Sequence, residues 1–474
     1  MALDVQRNWD REMAEDIEQI IIGRKKTNSE HNDSNTGSVE AIYEHNGDAG
    51  ERTDVDEDRE QVYLPDEVLI QILDYTARAK QTSQRTLAAC CRVSRQWHAV
   101  TVPLLYAFPR LYGHNFDPFV REICPSKNLS VRDSPLAYLV RGLDMSSLVH
   151  QATKSVTARL LGRTKGVLEY YVAPQRGFAM NSFPALSKCT KLRSLDLSLV
   201  SESPPLLDLF KTVQHLQALT TFKLPRSAGF GVHHKQESFH WPPNLQDLSL
   251  SGGIDAHFLH GVVSFPKTLR SLTIEHCPSA KGFAVTHLLK TAVRQLKNLR
   301  RLKIAHMPRL SGHALDGVLF LLPHLEELSM SVDYITPALF DENHLQHIKE
   351  PLIAPAGDSP TDSAHEEDES LPATPSLRTL ELTYSGTPAD ISDKISPLDV
   401  MIAIDDGVIP KLRQIRVASS LLWQDSEAES LTDALQEGAR KDWEAKEWLF
   451  ADMKSSRYAT VDWKRFAGVW KFDG

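Results

Sequence analysis

Cysteine is scarce in this sequence, and no two of the five cysteines stand at the Cys-x-x-Cys spacing of a zinc or redox site. The set is odd in number and scattered: Cys90, Cys91, Cys124, Cys189 and Cys277. This predicts reduced thiols rather than a disulfide framework or a structural metal site.

No run reaches the length of about 18 apolar residues that spans a bilayer, and the first residues lack a signal-peptide pattern. We therefore expect no membrane insertion and a cytoplasmic or nuclear location.

Motifs for catalysis are also absent from the sequence. There is no Gly-x-Ser-x-Gly turn, no His-Glu-x-x-His helix and no glycine-rich phosphate loop. The pair His233-His234 lies in a predicted loop, but a metal site there would need further ligands to which the sequence does not point. We expect no catalytic residue, no metal and no other cofactor, and we interpret the chain as a non-enzyme. Without basic runs interleaved with aromatic residues, a nucleic-acid partner is not expected either.

Charge is unevenly distributed along the chain, whose formal net charge is −9. Residues 1–62 hold 17 acidic and 7 basic side chains, and residues 341–370 hold 9 acidic side chains against Lys349 alone. We interpret residues 1–62 as an acidic N-terminal extension, with an amphipathic helix followed by a linker of disordered composition. That helix either folds back on the body or docks on a partner, and the sequence leaves both possibilities open.

Residues 63–98 combine two apolar segments at a specific spacing. Leu64-Pro65-Asp66-Glu67 begins a predicted helix whose next residues are almost all apolar, and a Cys-x-Val-x-x-x-Trp segment follows from Cys91. Together these segments resemble the F-box. The resemblance implies docking on a Skp-type adaptor and, through it, on a cullin–RING ligase. On the same basis, the adaptor-binding residues would be Leu64, Pro65, Leu69, Ile72, Val93 and Trp97.

A second pattern, Leu-x-x-Leu-x-Leu, recurs through the rest of the chain. Copies beginning between Leu192 and Leu325 are 24 to 30 residues apart, which is similar to the period of about 20–29 in leucine-rich repeats. Later copies begin at Leu377 and Leu412, and weaker ones at Val140 and Leu168. The predicted fold class is α/β: a small helical F-box followed by a curved leucine-rich-repeat solenoid, with parallel strands on the concave face and helices on the convex face.

The repeats set the expected domain boundaries. The solenoid is predicted over residues 136–426, with residues 99–135 as a linker and cap. A proline-rich acidic stretch, 341–375, is interpreted as a disordered insertion within one repeat. The tail, 427–474, contains four of the eight tryptophans and is interpreted as a cap over the last repeat.

Polar residues alternate with the leucines of each predicted strand and should point outward along one face. The face carries both signs of charge, which is typical of a surface that binds a protein with a defined register. For any single side chain, a solubilising role is the simpler alternative. The candidate target-binding residues are Asp196, Lys223, Asp247, Glu275, Arg301, Lys303, Glu327, Glu381 and Arg416.

Taken together, the sequence resembles fungal F-box proteins with leucine-rich repeats. The resemblance implies a substrate-recognition subunit of an SCF-type ubiquitin ligase, which joins the adaptor to a protein target. Two alternatives remain open. One is an F-box protein that tethers its partner without promoting degradation. The other is a leucine-rich-repeat scaffold without ubiquitin-ligase association, in which residues 63–98 only cap the repeats.

Overall fold

The computed structural model of the protein describes residues 64–78, 83–126, 133–202, 204–226, 240–253, 265–310, 312–341, 374–384, 394–447 and 465–473. Four predicted features lie outside these residues: the extension 1–62, nearly all of the 341–375 insertion, His233-His234, and Trp448 with Trp463 of the tail. The chain divides into two units, Met1–Leu105 and Tyr106–Gly474.

Three helices form the described part of the first unit. They are α1 (Asp66–Ala77), α2 (Ser83–Cys90) and α3 (Arg95–Ala107), the last of which ends just inside the second unit. Pro65 occupies the position before the first helical residue, with φ −57° and ψ 149°. Asp66 and Glu67 follow in the first turn, where carboxylates are stabilised by the partial positive charge of the helix N-terminus.

The core of this unit is small. Leu73, Leu87 and Leu104, one from each helix, pack together in its centre. Half-buried side chains surround them: Ala77, Cys90, Trp97, Val100 and Leu105. Because such a short segment buries little apolar surface by itself, a unit of this size commonly relies on a partner for stability.

The second unit contains a continuous sheet of 11 parallel strands in the order β1 to β11. Each strand pairs with the next along the sequence. The strands are β1 (Gly142–Asp144), β2 (Tyr170–Val172), β3 (Ser194–Asp196), β4 (Thr221–Lys223), β5 (Asp247–Ser251), β6 (Ser271–Glu275), β7 (Arg301–Ala305), β8 (Glu327–Ser331), β9 (Thr379–Thr383), β10 (Gln414–Ala418) and β11 (Gly468–Phe472).

The register of the sheet confirms the predicted repeat. Leu195, Phe222 and Leu248 face each other on neighbouring strands and are fully or almost fully buried. The same buried position is filled by Leu143 in β1 and Tyr171 in β2, so the two weaker copies of the motif are genuine strands. The curvature of the array stays a prediction.

Helical segments lie between most strands and contribute to the same hydrophobic core as the strands. In Leu206–Val213, for example, the residues Leu206, Leu209, Phe210 and Val213 are buried at helical spacing. Within the described residues, the α-helices of this unit are α4 (Gly113–Ile123), α5 (Lys154–Thr164), α6 (Phe183–Leu186), α7 (Leu206–Val213), α8 (Gly282–Gln295), α9 (Val318–Leu321), α10 (Pro397–Asp405) and α11 (Asp425–Glu447). None of the helices in the described residues has the length and apolar character needed to cross a membrane.

The two edges of the sheet are covered differently. At the first edge, Arg110 forms an isolated parallel bridge with Asp144 of β1. At the last edge, the Val469 N–H donates to Thr432 Oγ1 of α11 at 3.3 Å, so this helix satisfies one outward-pointing group of the edge strand. The sequence analysis assigned residues 468–472 to a cap and did not predict that they form an eleventh strand.

Candidate protein-binding surfaces

A stripe of exposed apolar residues runs along α1. Pro65, Val68, Ile72 and Tyr75 are spaced three or four residues apart and therefore lie on one face of the helix. Val68 is 40 % exposed, Ile72 44 % and Tyr75 81 %. We call these four residues the α1 stripe. Such an apolar row on the surface is a candidate protein-binding site.

The opposite face of α1 holds the helix in place. Leu69 and Leu73, one turn apart, are both 0 % exposed. At the start of the helix, Gln96 Nε2 of α3 donates to the Leu64 carbonyl oxygen at 2.8 Å and to Asp66 Oδ1 at 2.7 Å. These bonds join α1 to α3, so the α1 stripe is displayed by a helix fixed at its N-terminal end.

The structure places the six predicted adaptor-binding residues in three different environments. Pro65, Ile72 and Val93 are exposed, and Val93 reaches 63 % exposure in the turn before α3. Leu64 and Trp97 are half-buried. Leu69 was predicted to face the adaptor but is fully buried, because it lies one turn from Leu73 on the inward face of the helix.

Trp97 belongs mainly to the small core. Its ring packs against the cluster of Leu73, Leu87 and Leu104, and its backbone N–H donates to Ser94 Oγ at 3.2 Å near the start of α3. Truncation of Trp97 would therefore disturb the unit itself as well as any surface it presents. Val68 and Tyr75 are the exposed apolar residues that the sequence analysis missed. Their spacing from Ile72 was the available signal, but the nearly unbroken apolar run from Val68 to Leu73 concealed it.

The second candidate surface is the polar face of the sheet. At its centre, one outward residue from each strand stands opposite the next, and every one of them is exposed or half-buried. We call this line the central row. It comprises Asp144, Val172, Asp196, Lys223, Ser249, Thr273, Lys303, Ser329, Glu381, Arg416 and Trp470.

Three pairs of the predicted target-binding residues neutralise each other on this face. Lys223 Nζ lies 2.7 Å from Asp196 Oδ2 on the neighbouring strand. Arg301 Nη2 lies 2.8 Å from Asp247 Oδ1. The third pair is looser, with 3.7 Å between Arg416 Nη1 and Glu381 Oε2, and Ser329 Oγ also donates to Glu381 Oε1 at 2.8 Å.

Asp196 is the most firmly held of these carboxylates. Ser198 donates to Oδ1 through both its backbone N–H, at 3.0 Å, and its hydroxyl, at 2.6 Å. Burial by itself would raise the pKa of Asp196, but the hydrogen bonds from Lys223 and Ser198 outweigh burial and hold that pKa below its usual range. Asp196 is therefore ionised and internally compensated at neutral pH.

The other three predicted residues behave differently. Within the part of the chain that the structure describes, Glu275, Lys303 and Glu327 form no ion pair within 4.0 Å. Glu275 and Lys303 are half-buried and Glu327 is exposed. Their charges thus remain available to an incoming partner.

Two histidines border this group. His276 and His306 directly follow β6 and β7, and both adopt left-handed backbone conformations, with φ 55° and 53°. Their rings stack in parallel at a centroid distance of 4.3 Å and an interplanar angle of 6°. Burial, followed by the nearby positive charge of Arg226 and the His306 ring, lowers the pKa of His276. This ring is therefore neutral at physiological pH.

The described residues contain no group of three or more histidines, cysteines, aspartates or glutamates placed to hold a metal ion. Burial raises the pKa of Cys189 and of Cys277 to about 12. Both thiols are therefore protonated at neutral pH and are poor nucleophiles.

Comparison with known proteins agrees with the geometry of the first unit. Residues 62–111 match the family described as F-box-like. The chain is 29 % identical over 355 residues to "F-box protein YDR306C" of Saccharomyces cerevisiae, covering 74 % of this chain and 66 % of that protein. It is 27 % identical over 373 residues to "Protein pof5" of Schizosaccharomyces pombe, covering 79 % of this chain and 95 % of that protein.

Among solved structures, the crystal structure of a TLR13–ssRNA13 complex aligns over 60 % of this chain and 36 % of that one, with a TM-score of 0.31 and 17 % identity. The sequence comparisons show that the chain carries an F-box-like domain and is homologous to fungal F-box proteins. They confirm the predicted resemblance to fungal F-box proteins.

Proposed function

We propose that this protein is the substrate-recognition subunit of an SCF-type ubiquitin ligase. In this role the F-box-like unit binds a Skp-type adaptor, and the adaptor connects the protein to a cullin–RING ligase. The polar face of the sheet holds the protein target. The observation that supports the proposal most directly is the α1 stripe, an exposed apolar row within the residues that match the F-box-like family.

The α1 stripe offers apolar surface whose burial would stabilise a complex. Complete burial of a valine or isoleucine side chain stabilises a complex by roughly 1.5–3 kcal/mol. Val68 and Ile72 are less than half exposed and therefore offer only part of this free energy, whereas Tyr75, at 81 % exposure, offers most of its side chain to a complementary groove. The small core of the unit, centred on Leu73, Leu87 and Leu104, would be stabilised by the same contact.

Such a subunit would promote modification without chemistry of its own. By holding a target beside a loaded conjugating enzyme, it raises the effective concentration of the target lysine at the reactive thioester. The recognition surfaces need shape and charge, and they need no cofactor. We place this activity in the cytoplasm or the nucleus.

Adaptor binding can be tested with Ile72→Glu combined with Tyr75→Glu. Both side chains are exposed, so the fold of the unit should be preserved while the α1 stripe acquires two charges that an apolar groove would have to desolvate. We expect the Skp-type adaptor to co-purify with the wild-type chain and to be lost from the double variant. Ala88→Glu is the matched control, since Ala88 is exposed on α2 and the substitution adds a charge of the same sign outside α1.

Unchanged adaptor recovery with the double variant would contradict the proposal. If the adaptor binds as expected, the half-life of a captured target should lengthen when the double variant replaces the wild-type protein in cells. A target whose half-life does not change would instead indicate a tethering role.

A further inference from the structure

Three unpaired charges form a diagonal across neighbouring strands of the sheet. Thr273 stands opposite Lys303, and Lys303 stands opposite Ser329, in the central row. Glu275 lies two residues beyond Thr273 on β6, and Glu327 lies two residues before Ser329 on β8. The sequence of charges from β6 to β8 is therefore negative, positive, negative. We call Glu275, Lys303 and Glu327 the charge diagonal.

The members of the diagonal do not stand directly opposite each other. Diagonal neighbours on adjacent strands have Cα atoms about 7–8 Å apart, compared with about 5 Å for residues that face directly. Asp196 and Lys223, by contrast, face each other directly and form an ion pair of 2.7 Å. The diagonal thus keeps alternating charges close together without internal neutralisation.

Arg301 is the cation best placed to neutralise Glu327, because the two residues stand opposite each other in the register of β7 and β8. The Arg301 guanidinium instead reaches across β6 to Asp247, at 2.8 Å. This ion pair occupies Arg301 and leaves the Glu327 carboxylate to solvent. Lys303 in turn is flanked in its own row by the short side chains of Thr273 and Ser329, which leave room for an approaching chain.

We propose that the protein target contacts the sheet at the charge diagonal, through an extended segment with a basic, an acidic and a basic residue at alternate positions. Alternate side chains of an extended chain point the same way and are about 6.7 Å apart, which matches the spacing of the diagonal within the reach of the side chains. The outer two basic residues then meet Glu275 and Glu327, and the central acidic residue meets Lys303. This inference rests on the proposed function, because it names the kind of target that the sheet face selects.

Charge complementarity favours such a segment over a uniformly charged one. A segment with three basic residues would gain two attractions but place its centre against Lys303. A segment with three acidic residues would meet two repulsions. The charges that are paired within the face contribute less to discrimination between target segments. A target segment would first have to displace an existing ion pair, such as that of Lys223 with Asp196.

The proposal can be tested with two synthetic peptides and the full-length protein, without any adaptor. One peptide contains Lys-Thr-Glu-Thr-Lys and the other Lys-Thr-Lys-Thr-Lys, both between Gly-Ser flanks. We expect the wild-type chain to bind the first peptide about tenfold more tightly at low ionic strength, and added salt to reduce this difference. Lys303→Glu should invert the preference, because the central position of the diagonal then selects a basic residue.

Lys223→Glu is the matched control, since Lys223 occupies the same row but is paired with Asp196. It should leave the peptide preference as in the wild type. Circular dichroism should show that both variants remain folded, with a lower unfolding temperature for Lys223→Glu because two carboxylates then face each other. Equal affinity of the wild-type protein for the two peptides, no inversion with Lys303→Glu, or an equal effect of Lys223→Glu would each overturn the proposal. Co-purification of the adaptor is a separate measurement on the first unit, so failure of the peptide experiment leaves that result standing, and the reverse also holds.

Discussion

Arg301 Nη2 lies 2.8 Å from Asp247 Oδ1 although the strand β6 runs between the two residues. The residue at the crossing point is Ser271, whose short side chain is buried beneath the ion pair. Arg301 therefore bypasses its direct neighbour Glu327 in favour of a more distant carboxylate. Because Arg301 pairs with Asp247, the Glu327 carboxylate remains available to a partner.

Replacement of Asp247 with Asn should redirect Arg301. Once the distant carboxylate has lost its charge, the guanidinium has Glu327 as its nearest acidic neighbour in the register. We expect Glu327 to become neutralised and the preference for the Lys-Thr-Glu-Thr-Lys peptide to weaken, as measured by titration calorimetry. Stability should change by less than about 1 kcal/mol, because both partners of the original pair are about one third exposed. A peptide preference that equals that of the wild type would show that the Asp247 pair does not control Glu327.

Gly142 allows the Phe108 ring to pack closely against the strand β1 at the first edge of the sheet. A Cβ atom at this position would lie 2.7 Å from Phe108 Cε1 and closer still to Cδ1, well inside van der Waals contact. We expect Gly142→Ala to lower the free energy of unfolding by about 1–3 kcal/mol, because the Phe108 ring has to move away from the edge strand. Urea unfolding of the full-length chain, followed by circular dichroism, measures this loss.

The control for this change is Gly166→Ala. Nothing lies within 4 Å of a Cβ at Gly166, so the substitution should be neutral or stabilise the chain by about 0.4–1 kcal/mol through the unfolded state. Equal urea midpoints for the two variants would show that Phe108 does not restrict residue 142.

The strands of the sheet were predictable because each copy of the leucine motif buries its apolar residues at the same positions. Even the weak copies at Leu143 and Tyr171 follow this rule and form β1 and β2. The strand β11 escaped prediction because Lys471 stands opposite Val417, at the position where the other strands have the last apolar residue of the motif. Its place in the sheet depends on pairing with β10 and on the contact with Thr432, both of which are distant in sequence.

The apolar and polar character of the two candidate surfaces was predictable, but the exposure and pairing of their residues were not. In α1 nearly every residue from Val68 to Leu73 is apolar, so hydrophobicity could not separate the buried Leu69 from the exposed Ile72. On the sheet, the sequence identified nine charged residues but not their pairing. Arg301 reaches a carboxylate two strands away, and a contact of this kind depends on side-chain length and on the small residue between.

The stacked histidines after β6 and β7 should make the stability of the folded protein depend on pH. Burial is the main cause that lowers the pKa of His276, and Arg226 and His306 add to it, whereas Glu275 acts in the opposite direction. The folded state therefore prefers the neutral ring more strongly than the unfolded chain does. Its stabilising contribution is complete above the unfolded pKa of about 6.5 and is lost as the pH falls through that value toward the lower folded pKa.

NMR titration of the imidazole protons can assign this response to His276. We expect its midpoint to lie below that of an unstructured histidine and to rise in His306→Asn, because the neighbouring ring that disfavours protonation is removed while Asn still tolerates the left-handed backbone. Glu275→Gln provides a control of opposite sign, since loss of that carboxylate should lower the midpoint further. If both variants titrate with the wild-type midpoint, neither the stacked ring nor Glu275 influences the charge of His276.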